Sequence, residues 1–170
     1  MNRSRLLGLG TCVPDRIVTN HDLCQWMDTS HEWIVERTGI VERRWVEDGD
    51  TGCRLATGAA REAMTDAGVT PGEIDLVVFA TMSPDCEFPG PGMFMQRELG
   101  MAPVPVVDIR QQCTGFIYAL AIADNFIRSG NYRCALVVGA EVQSRGMDVS
   151  TRGRHIAPLF GDGAGAAVVG

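Results

Sequence analysis

Five short and almost continuously apolar runs constrain the fold of this chain more than any other feature of its sequence. They lie at residues 5–11, 74–81, 104–109, 135–140 and 165–169. Strands with one face in water alternate apolar and polar residues, whereas strands covered on both faces are apolar throughout. Segments with helical patterns separate the five runs, and this alternation predicts an α/β fold with a largely parallel sheet and helices on both faces.

Capping residues mark the predicted helices. Thr51 or a neighbour is a suitable N-cap for an alanine-rich helix that runs to Ala67, and Gly68 is its natural C′ residue. A shorter helix is predicted at residues 91–99. Residues 114–128 contain so few polar side chains that we expect their helix to be buried.

Composition excludes several classes of protein. The chain has 170 residues, 45% of them apolar, which is enough for one domain with a substantial core. Its formal net charge of -6 argues against a nucleic-acid-binding protein with a basic surface. No run approaches the ~20 apolar residues that a membrane-spanning helix needs. The six cysteines form no CxxC pair and no zinc-binding pattern, so we expect reduced thiols in a cytoplasmic protein.

The last residues of the chain, 166–170, form an apolar run that is typical of a central strand. Chain termini normally lie at the surface and end in polar residues. We therefore expect this chain to be one part of a larger protein or one half of a two-chain assembly.

Cys113 is the residue with the clearest chemical potential. It follows the third apolar run, with only residues 110–112 between, and it precedes the predicted helix of residues 114–128. Active groups of α/β proteins lie at the carboxyl ends of strands, and a helix N-terminus favours an anion such as a thiolate. The position indicates a thiolate nucleophile, with a buried core cysteine as the alternative.

Three segments together resemble β-ketoacyl-acyl carrier protein synthase III, the initiating condensing enzyme of fatty-acid synthesis in the thiolase-like superfamily. They are DTSHEWIVERTGI at residues 28–40, CTGFIYAL at 113–120 and FGDGAGA at 160–166. The resemblance covers the whole chain but only the N-terminal half of the family. It implies a duplicated thiolase-like fold, with a five-stranded mixed sheet in each half, in which residues 1–170 form the N-terminal half-domain and the C-terminal half is absent.

The resemblance also implies a reaction. In that family the cysteine takes an acyl group from acyl-CoA, and a malonyl thioester on acyl carrier protein then decarboxylates and attacks it. Cys113 matches this nucleophile, and its backbone N–H matches one of the two oxyanion-hole amides. The catalytic His and Asn belong to the second half of the family. A homodimer is implied, and the CoA thioester is a substrate, so no cofactor is required.

Four residues match the CoA site of the family. Trp33 and Arg152 match residues that stack on adenine, Arg37 matches a phosphate contact, and Thr29 matches a hydrogen-bond partner of the base. Aromatic and guanidinium planes suit a purine face, and a guanidinium fork suits phosphate. Because Trp33 and Arg37 are four residues apart, they share a face if their segment is helical. The alternative is a surface tryptophan beside a solvated ion pair.

Phe88 matches a residue that reaches across the dimer interface into the partner's acyl pocket, and an ordinary packing phenylalanine is the alternative. The sequence departs from the family at Gln111 and Gln112, where small residues are common, and at residues 84–87, which are more acidic than a fatty-acyl pocket suggests. These departures leave the acyl substrate open, because condensing enzymes that make polyketide starters, quinolones or long-chain ketones share the same nucleophile segment.

Two other functions are compatible with the sequence. The chain is alternatively a non-catalytic CoA-binding or scaffolding subunit of a condensing-enzyme complex. A redox-sensing thiol protein would need a resolving cysteine near Cys113, and the lack of CxxC spacing argues against it.

Overall fold

A computed structural model describes residues 3–170, and the described chain contains seven strands and five α-helices. The strands are β1 (Leu6–Cys12), β2 (Ile17–Thr19), β3 (Glu42–Arg44), β4 (Leu76–Ala80), β5 (Val106–Ile109), β6 (Ala135–Val142) and β7 (Asp162–Val169). The helices are α1 (Asn20–Leu23), α2 (His31–Thr38), α3 (Gly52–Ala67), α4 (Pro91–Glu98) and α5 (Gly115–Arg128). Within residues 3–170, no helix has the length and apolar character that crossing a membrane requires.

The chain forms two compact units. The sheet unit contains the described residues up to Cys12 together with Thr51–Glu141 and Gly163–Gly170. The second unit contains Val13–Asp50 and Val142–Asp162, and we call it the tryptophan unit because it holds all three tryptophans of the sequence. Its two short strands, β2 and β3, pair antiparallel.

The sheet unit confirms the predicted fold class. Its five strands run in the order β1-β7-β6-β4-β5, and each corresponds to one of the five apolar runs of the sequence. β4 is parallel to both of its neighbours, β5 and β6, whereas β1 is antiparallel to β7. The sheet is therefore mixed.

Strand β4 is buried along its whole length and is covered on both faces. Leu76, Val78 and Ala80 belong to one core cluster with Ala119, Ala123 and Ile127 of α5. On the opposite face, the Cβ atom of Phe79 approaches the position that a side chain at Gly92 of α4 would occupy. The unbroken apolar run is explained by these two layers.

Helix α5 corrects one expectation. We expected the whole helix to be buried, but the buried residues form a single stripe at Gly115, Ala119, Ala123 and Ile127. On the other face, Ile117 and Tyr118 are 65% and 53% exposed. An apolar helix with only one face covered has a second face suited to packing against further protein.

Strand β1 and helix α3 approach so closely that only glycine fits between them. A Cβ atom on Gly10 would lie 2.2 Å from the carbonyl oxygen of Ala59 and 2.3 Å from the backbone nitrogen of Ala63. Gly8 meets the next turn of α3 in the same way. These contacts are with backbone atoms, so no side-chain rotation relieves them.

Replacing Gly10 with alanine is expected to lower the free energy of unfolding of the full-length protein by about 1–3 kcal/mol, because the added methyl group overlaps the backbone of α3. Urea unfolding measures this change. Gly72→Ala is the matched control, since its new Cβ would have its nearest neighbour 4.0 Å away, and it should change stability by less than about 0.5 kcal/mol. Equal unfolding midpoints for the two variants would contradict the close-packing argument.

Candidate active site

The parallel strands of the sheet unit bring three segments to one edge. Because β5 and β6 both run parallel to β4, their carboxyl ends and the carboxyl end of β4 lie side by side. The β4–β5 ladder extends past the strand ends, since the N–H of Thr81 donates to the carbonyl oxygen of Ile109 at 3.1 Å. Three segments therefore lie together at the carboxyl ends of these strands: the loop of residues 81–90, the turn of residues 110–114 and the end of β6.

Cys113 lies in a 3-10 turn, Gln112–Thr114, that connects β5 to α5. Cys113 is exposed, and no disulfide joins any cysteines within residues 3–170. Gln112 has a φ of 34°, the left-handed region that residues other than glycine rarely adopt. The first residue of α5, Gly115, packs so tightly that a Cβ there would lie 3.2 Å from the Cβ of Ala80 at the end of β4. A strained turn on a tightly packed base thus presents the predicted nucleophile.

Phe88 lies in the neighbouring loop and is 92% exposed. That exposure argues against the alternative of a packing phenylalanine within the described chain. The peptide bond from Phe88 to Pro89 is cis. Helix α4 begins at Pro91, two residues after Pro89.

Carboxylates fix this loop at both of its ends. At the start, Glu141 accepts hydrogen bonds from the N–H of Met82 at 2.7 Å and from the hydroxyl of Ser83 at 2.6 Å. Near the end, Asp108 accepts a hydrogen bond from the N–H of Gly92 at 3.0 Å. Burial raises the pKa of Asp108, and the bond from Gly92 opposes that rise. The loop is therefore tied to β6 on one side and to β5 on the other.

The acidic residues of this loop are structural. Asp85 accepts hydrogen bonds from the N–H groups of Gly52 and Cys53 at 3.0 and 2.6 Å, so it caps the N-terminus of α3. Both carboxylate oxygens of Glu87 lie 3.0 Å from Nη2 of Arg110 in the turn before Cys113. The sequence identified this acidity as a departure but gave no sign of what the carboxylates bind.

In the tryptophan unit, α2 places Trp33 and Arg37 on one face, as their spacing predicts. Ser30 is the N-cap of α2, and its hydroxyl accepts from the N–H of Trp33. The Cζ atom of Arg37 lies 4.4 Å from the centroid of the Trp33 ring, and its Nη1 donates to the carbonyl oxygen of Trp33 at 3.3 Å. Two residues before the start of α2, Oγ1 of Thr29 is buried and has no hydrogen-bond partner within residues 3–170.

A second segment of the tryptophan unit meets this helix. The Cζ atom of Arg154 lies 5.3 Å from the centroid of the Trp33 ring, and the His155 ring contacts Trp33 edge-on at 5.5 Å. Arg154 also donates to the carbonyl oxygen of Asp28 at 2.9 Å. The sequence did not identify Arg154 as an arginine beside Trp33.

Arg152 is held differently. Its Nε lies 2.6 Å from a carboxylate oxygen of Asp148, and its side chain is 89% exposed. Hydrogen bonds from Ser150 and Arg152 lower the pKa of Asp148 to about 2, so the carboxylate is ionised at neutral pH. The structure therefore brings Trp33 and Arg37 together and places the guanidinium of Arg154 over the ring, while Arg152 pairs with Asp148.

The tryptophan unit also contains a cavity of about 270 Å³ that sequence reasoning did not predict. Its lining includes Trp26 and Trp45, whose rings stack with centroids 5.8 Å apart. No group of three or more His, Cys, Asp or Glu side chains within residues 3–170 could hold a metal ion.

Comparison with known proteins finds the same family that the motifs resemble. The model of the family 3-oxoacyl-[acyl-carrier-protein] synthase III matches residues 107–170, which include Cys113. A β-ketoacyl-[acyl-carrier-protein] synthase III from Ehrlichia canis is 47% identical over 169 residues, which are 99% of this chain and 52% of that protein. The chain is thus similar over nearly its whole length to β-ketoacyl-acyl carrier protein synthase III proteins. It spans about half the length of the curated relatives it matches.

Solved structures of synthase III proteins and their relatives have the same fold. The 3-oxoacyl-[acyl-carrier-protein] synthase III of Aquifex aeolicus superposes with a TM-score of 0.94 at 44% identity, over 98% of this chain and 53% of that one. The priming β-ketosynthase of the R1128 polyketide pathway superposes with a TM-score of 0.95 at 42% identity, over 99% of this chain and 50% of that one. The family and the thiolase-like fold class that the motifs predicted are thus confirmed.

Proposed function

We propose that this chain is the nucleophile-bearing half of a condensing acyltransferase. Cys113 takes an acyl group from acyl-CoA, and the acyl-enzyme then undergoes decarboxylative Claisen condensation with malonyl-acyl carrier protein, as in the initiation of fatty-acid or polyketide synthesis. The observation that carries this proposal is the exposed Cys113 thiol at the turn between β5 and α5, at the edge where parallel strands end. The similarity to synthase III proteins supports it.

The first half-reaction is a thioester exchange. The Cys113 thiolate attacks the acyl-CoA carbonyl carbon, the tetrahedral intermediate collapses, and CoA leaves as a thiolate that takes up a proton. The backbone N–H of Cys113 is one of the two donors we assign to the oxyanion. A fixed donor of this kind lowers the barrier by about 2.7–4 kcal/mol in comparable enzymes, because it needs no reorganisation when charge develops.

The second half-reaction forms the carbon–carbon bond. Loss of CO2 from the malonyl thioester leaves an enolate, whose carbon attacks the acyl carbon on Cys113 and expels the cysteine thiolate. We assign the stabilisation of the enolate oxygen to a His and an Asn from a C-terminal half. Binding both thioesters beforehand removes the entropy cost of bringing them together.

Acylation of Cys113 tests the proposal directly. The full-length protein is mixed with acetyl-CoA or hexanoyl-CoA, quenched rapidly and digested, and the mass of the peptide that contains Cys113 is measured. We expect an acyl adduct on that peptide. Cys113→Ala should abolish the adduct, and Cys24→Ala, which removes another exposed thiol, should leave it unchanged. Tight acyl-CoA binding without transfer would overturn the proposal in favour of a scaffolding subunit.

We assign CoA recognition to the tryptophan unit, through Thr29, Trp33, Arg37 and Arg152. The half-buried face of Trp33 suits adenine, and the unpartnered hydroxyl of Thr29 suits a hydrogen bond to the base. Arg154 joins this set because its guanidinium lies beside the ring. Two guanidinium groups close to one indole provide cations for the phosphates of CoA.

Replacing Trp33 with alanine should raise the KM for acetyl-CoA about tenfold, since base stacking on an aromatic side chain contributes about 1–3 kcal/mol. The KM for acetyl-pantetheine, which lacks the nucleotide, should stay the same. Trp26→Ala is the matched control, because Trp26 stacks on Trp45 instead. An equal rise in KM for both thioesters would place Trp33 outside the adenine site.

We also propose a homodimer that works with acyl carrier protein in the cytoplasm. β5 is an edge strand of the sheet. The carbonyl oxygens of Pro105 and Ile109 accept hydrogen bonds at the β4 side, so the alternation of a parallel ladder directs the backbone groups of Val106 and Asp108 to the free edge. The free side of β5 in one chain can pair with the same strand of a second chain about a twofold axis, and this pairing would form a dimer.

Sedimentation of the full-length protein should give the mass of a dimer. Val106→Pro should shift the protein toward monomer, because it removes an outward N–H group while the β4–β5 hydrogen bonds remain. Circular dichroism checks that the variant is folded. A monomeric parent protein would contradict the proposal.

A further inference from the structure

We infer that the tryptophan unit contains a further binding site, which takes a free amino acid with an aromatic side chain. The site is the cavity beside the stacked rings of Trp26 and Trp45, together with the charged residues that surround it. It uses none of the residues that we assign to CoA. The inference goes beyond the proposed function, because it involves no step at Cys113.

Two neighbouring cavities form the site. The cavity of about 270 Å³ is lined by both stacked tryptophans. A second cavity, of about 430 Å³, is lined by Arg16, Val46, Glu47 and Asp48, and all four of these residues also line the first. Together the cavities fall in the range of about 300–1,000 Å³ that small-molecule sites occupy. The combined space has an aromatic part and a charged part.

The aromatic part is already arranged to receive a ring. Trp45 is 6% exposed, and its backbone N–H donates to the carbonyl oxygen of Arg16 at 3.2 Å. Trp26 stacks on Trp45 and remains 41% exposed. An exposed indole beside a cavity offers apolar area that a ligand can cover, and aromatic rings pair favourably in stacked or edge-on arrangements.

A buried carboxylate holds the walls of the cavity together. Asp162 is 5% exposed, and it accepts hydrogen bonds from the N–H of Val46 at 2.8 Å and from the N–H of Ser144 at 2.9 Å. Arg145, the next residue, donates through Nη2 to the carbonyl oxygen of Asp50 at 2.6 Å. The two chain segments that line the cavity are thus joined before any ligand binds, which lowers the entropy cost of binding.

The charges around the cavity select the class of ligand. Arg16 and Arg145 contribute two cations, and Glu47 and Asp48 contribute two carboxylates. Within residues 3–170, the side chains of Arg16, Glu47 and Asp48 form no ion pair and no hydrogen bond. An anion would meet the two carboxylates, and a cation would meet the two arginines. A zwitterion satisfies both signs, and a zwitterion that also carries a ring is an aromatic amino acid.

Each part of this ligand has a partner in the site. Cζ of Arg16 lies 5.9 Å from the centroid of the Trp45 ring, so a carboxylate bound to this guanidinium stays close to the aromatic pair. We assign the α-carboxylate to Arg16, because hydrogen bonds between a guanidinium and a carboxylate are charge-assisted. The ammonium is assigned to Glu47 and Asp48, and the ring to the exposed surface of Trp26.

Calorimetric titration of the full-length protein with L-phenylalanine tests the inference. We expect saturable binding at one site per chain. L-Alanine, which lacks the ring, should not bind. Phenethylamine lacks the carboxylate and 3-phenylpropionate lacks the ammonium, so each should bind about tenfold more weakly than L-phenylalanine. The absence of saturable L-phenylalanine binding at millimolar concentration would overturn the inference.

Two variants connect each charge of the ligand with its partner. Arg16→Gln should weaken L-phenylalanine binding about tenfold and leave phenethylamine binding unchanged, because that ligand has no carboxylate to lose. The double variant with Glu47→Gln and Asp48→Asn should weaken L-phenylalanine binding to a similar extent and should not weaken 3-phenylpropionate binding. Arg133→Gln is the matched control, since the Arg133 side chain is 94% exposed in the sheet unit, and it should bind like the parent.

These variants alter exposed side chains, so each should fold, and circular dichroism checks that it does. Equal weakening of L-phenylalanine and phenethylamine by Arg16→Gln would refute the assigned carboxylate contact.

Competition with CoA distinguishes the two sites of the tryptophan unit. The Kd for L-phenylalanine should reach a constant value as CoA is added. A Kd that rises in proportion to the CoA concentration would place the amino acid in the adenine site and overturn the inference. If the parent binds L-phenylalanine but does not acylate Cys113, the proposed function fails and this inference stands.

Discussion

Parallel pairing of β4 on both of its sides is the constraint from which the candidate site follows. All five residues of β4 are buried, and the strand is parallel to β5 and to β6. Three chain segments must therefore leave the sheet at the same edge, whatever their own sequences prefer. The Cys113 turn, the Phe88 loop and Glu141 are neighbours for this reason. The chemistry of each segment depends on its own side chains, whereas the topology of the sheet brings the segments close together.

Four carboxylates at the carboxyl ends of these strands hold the neighbouring segments in a fixed geometry. Glu141, Asp85 and Asp108 accept hydrogen bonds from backbone N–H groups, and Glu87 accepts them from a guanidinium. An ionised acceptor strengthens such bonds, because charge-assisted hydrogen bonds are shorter and stronger than neutral ones. The acidic residues around the site thus hold the loops in place. Only the Cys113 thiol is assigned as a nucleophile.

The sequence predicted those elements whose signals are local. Thr51 and Gly68 are the N-cap and C-cap of α3, as predicted. A hydroxyl that accepts a hydrogen bond commonly begins a helix, and a glycine in the left-handed region commonly ends one. Strands β2 and β3 were missed, since three residues are too few for a periodic signal and β3 buries Arg43, whose guanidinium donates to Asn20. No pattern in sequence predicts that Arg154, and not Arg152, contacts Trp33, because both lie on one loop and long-range contacts decide between them.

The backbone at Gln112 explains why a departure from the family pattern is tolerated beside Cys113. A φ of 34° costs a non-glycine residue about 1–3 kcal/mol, and such strain persists only where the surrounding structure enforces it. Here the enforcement is visible on both sides: Ile109 is held by Thr81, and the N–H of Gly115 donates to the carbonyl oxygen of Gln112. A side chain larger than alanine fits at position 112 because it is exposed and needs no space in the core. The strain falls on the residue before the thiol, because Gln112 is the only non-glycine residue within residues 3–170 that has a positive φ.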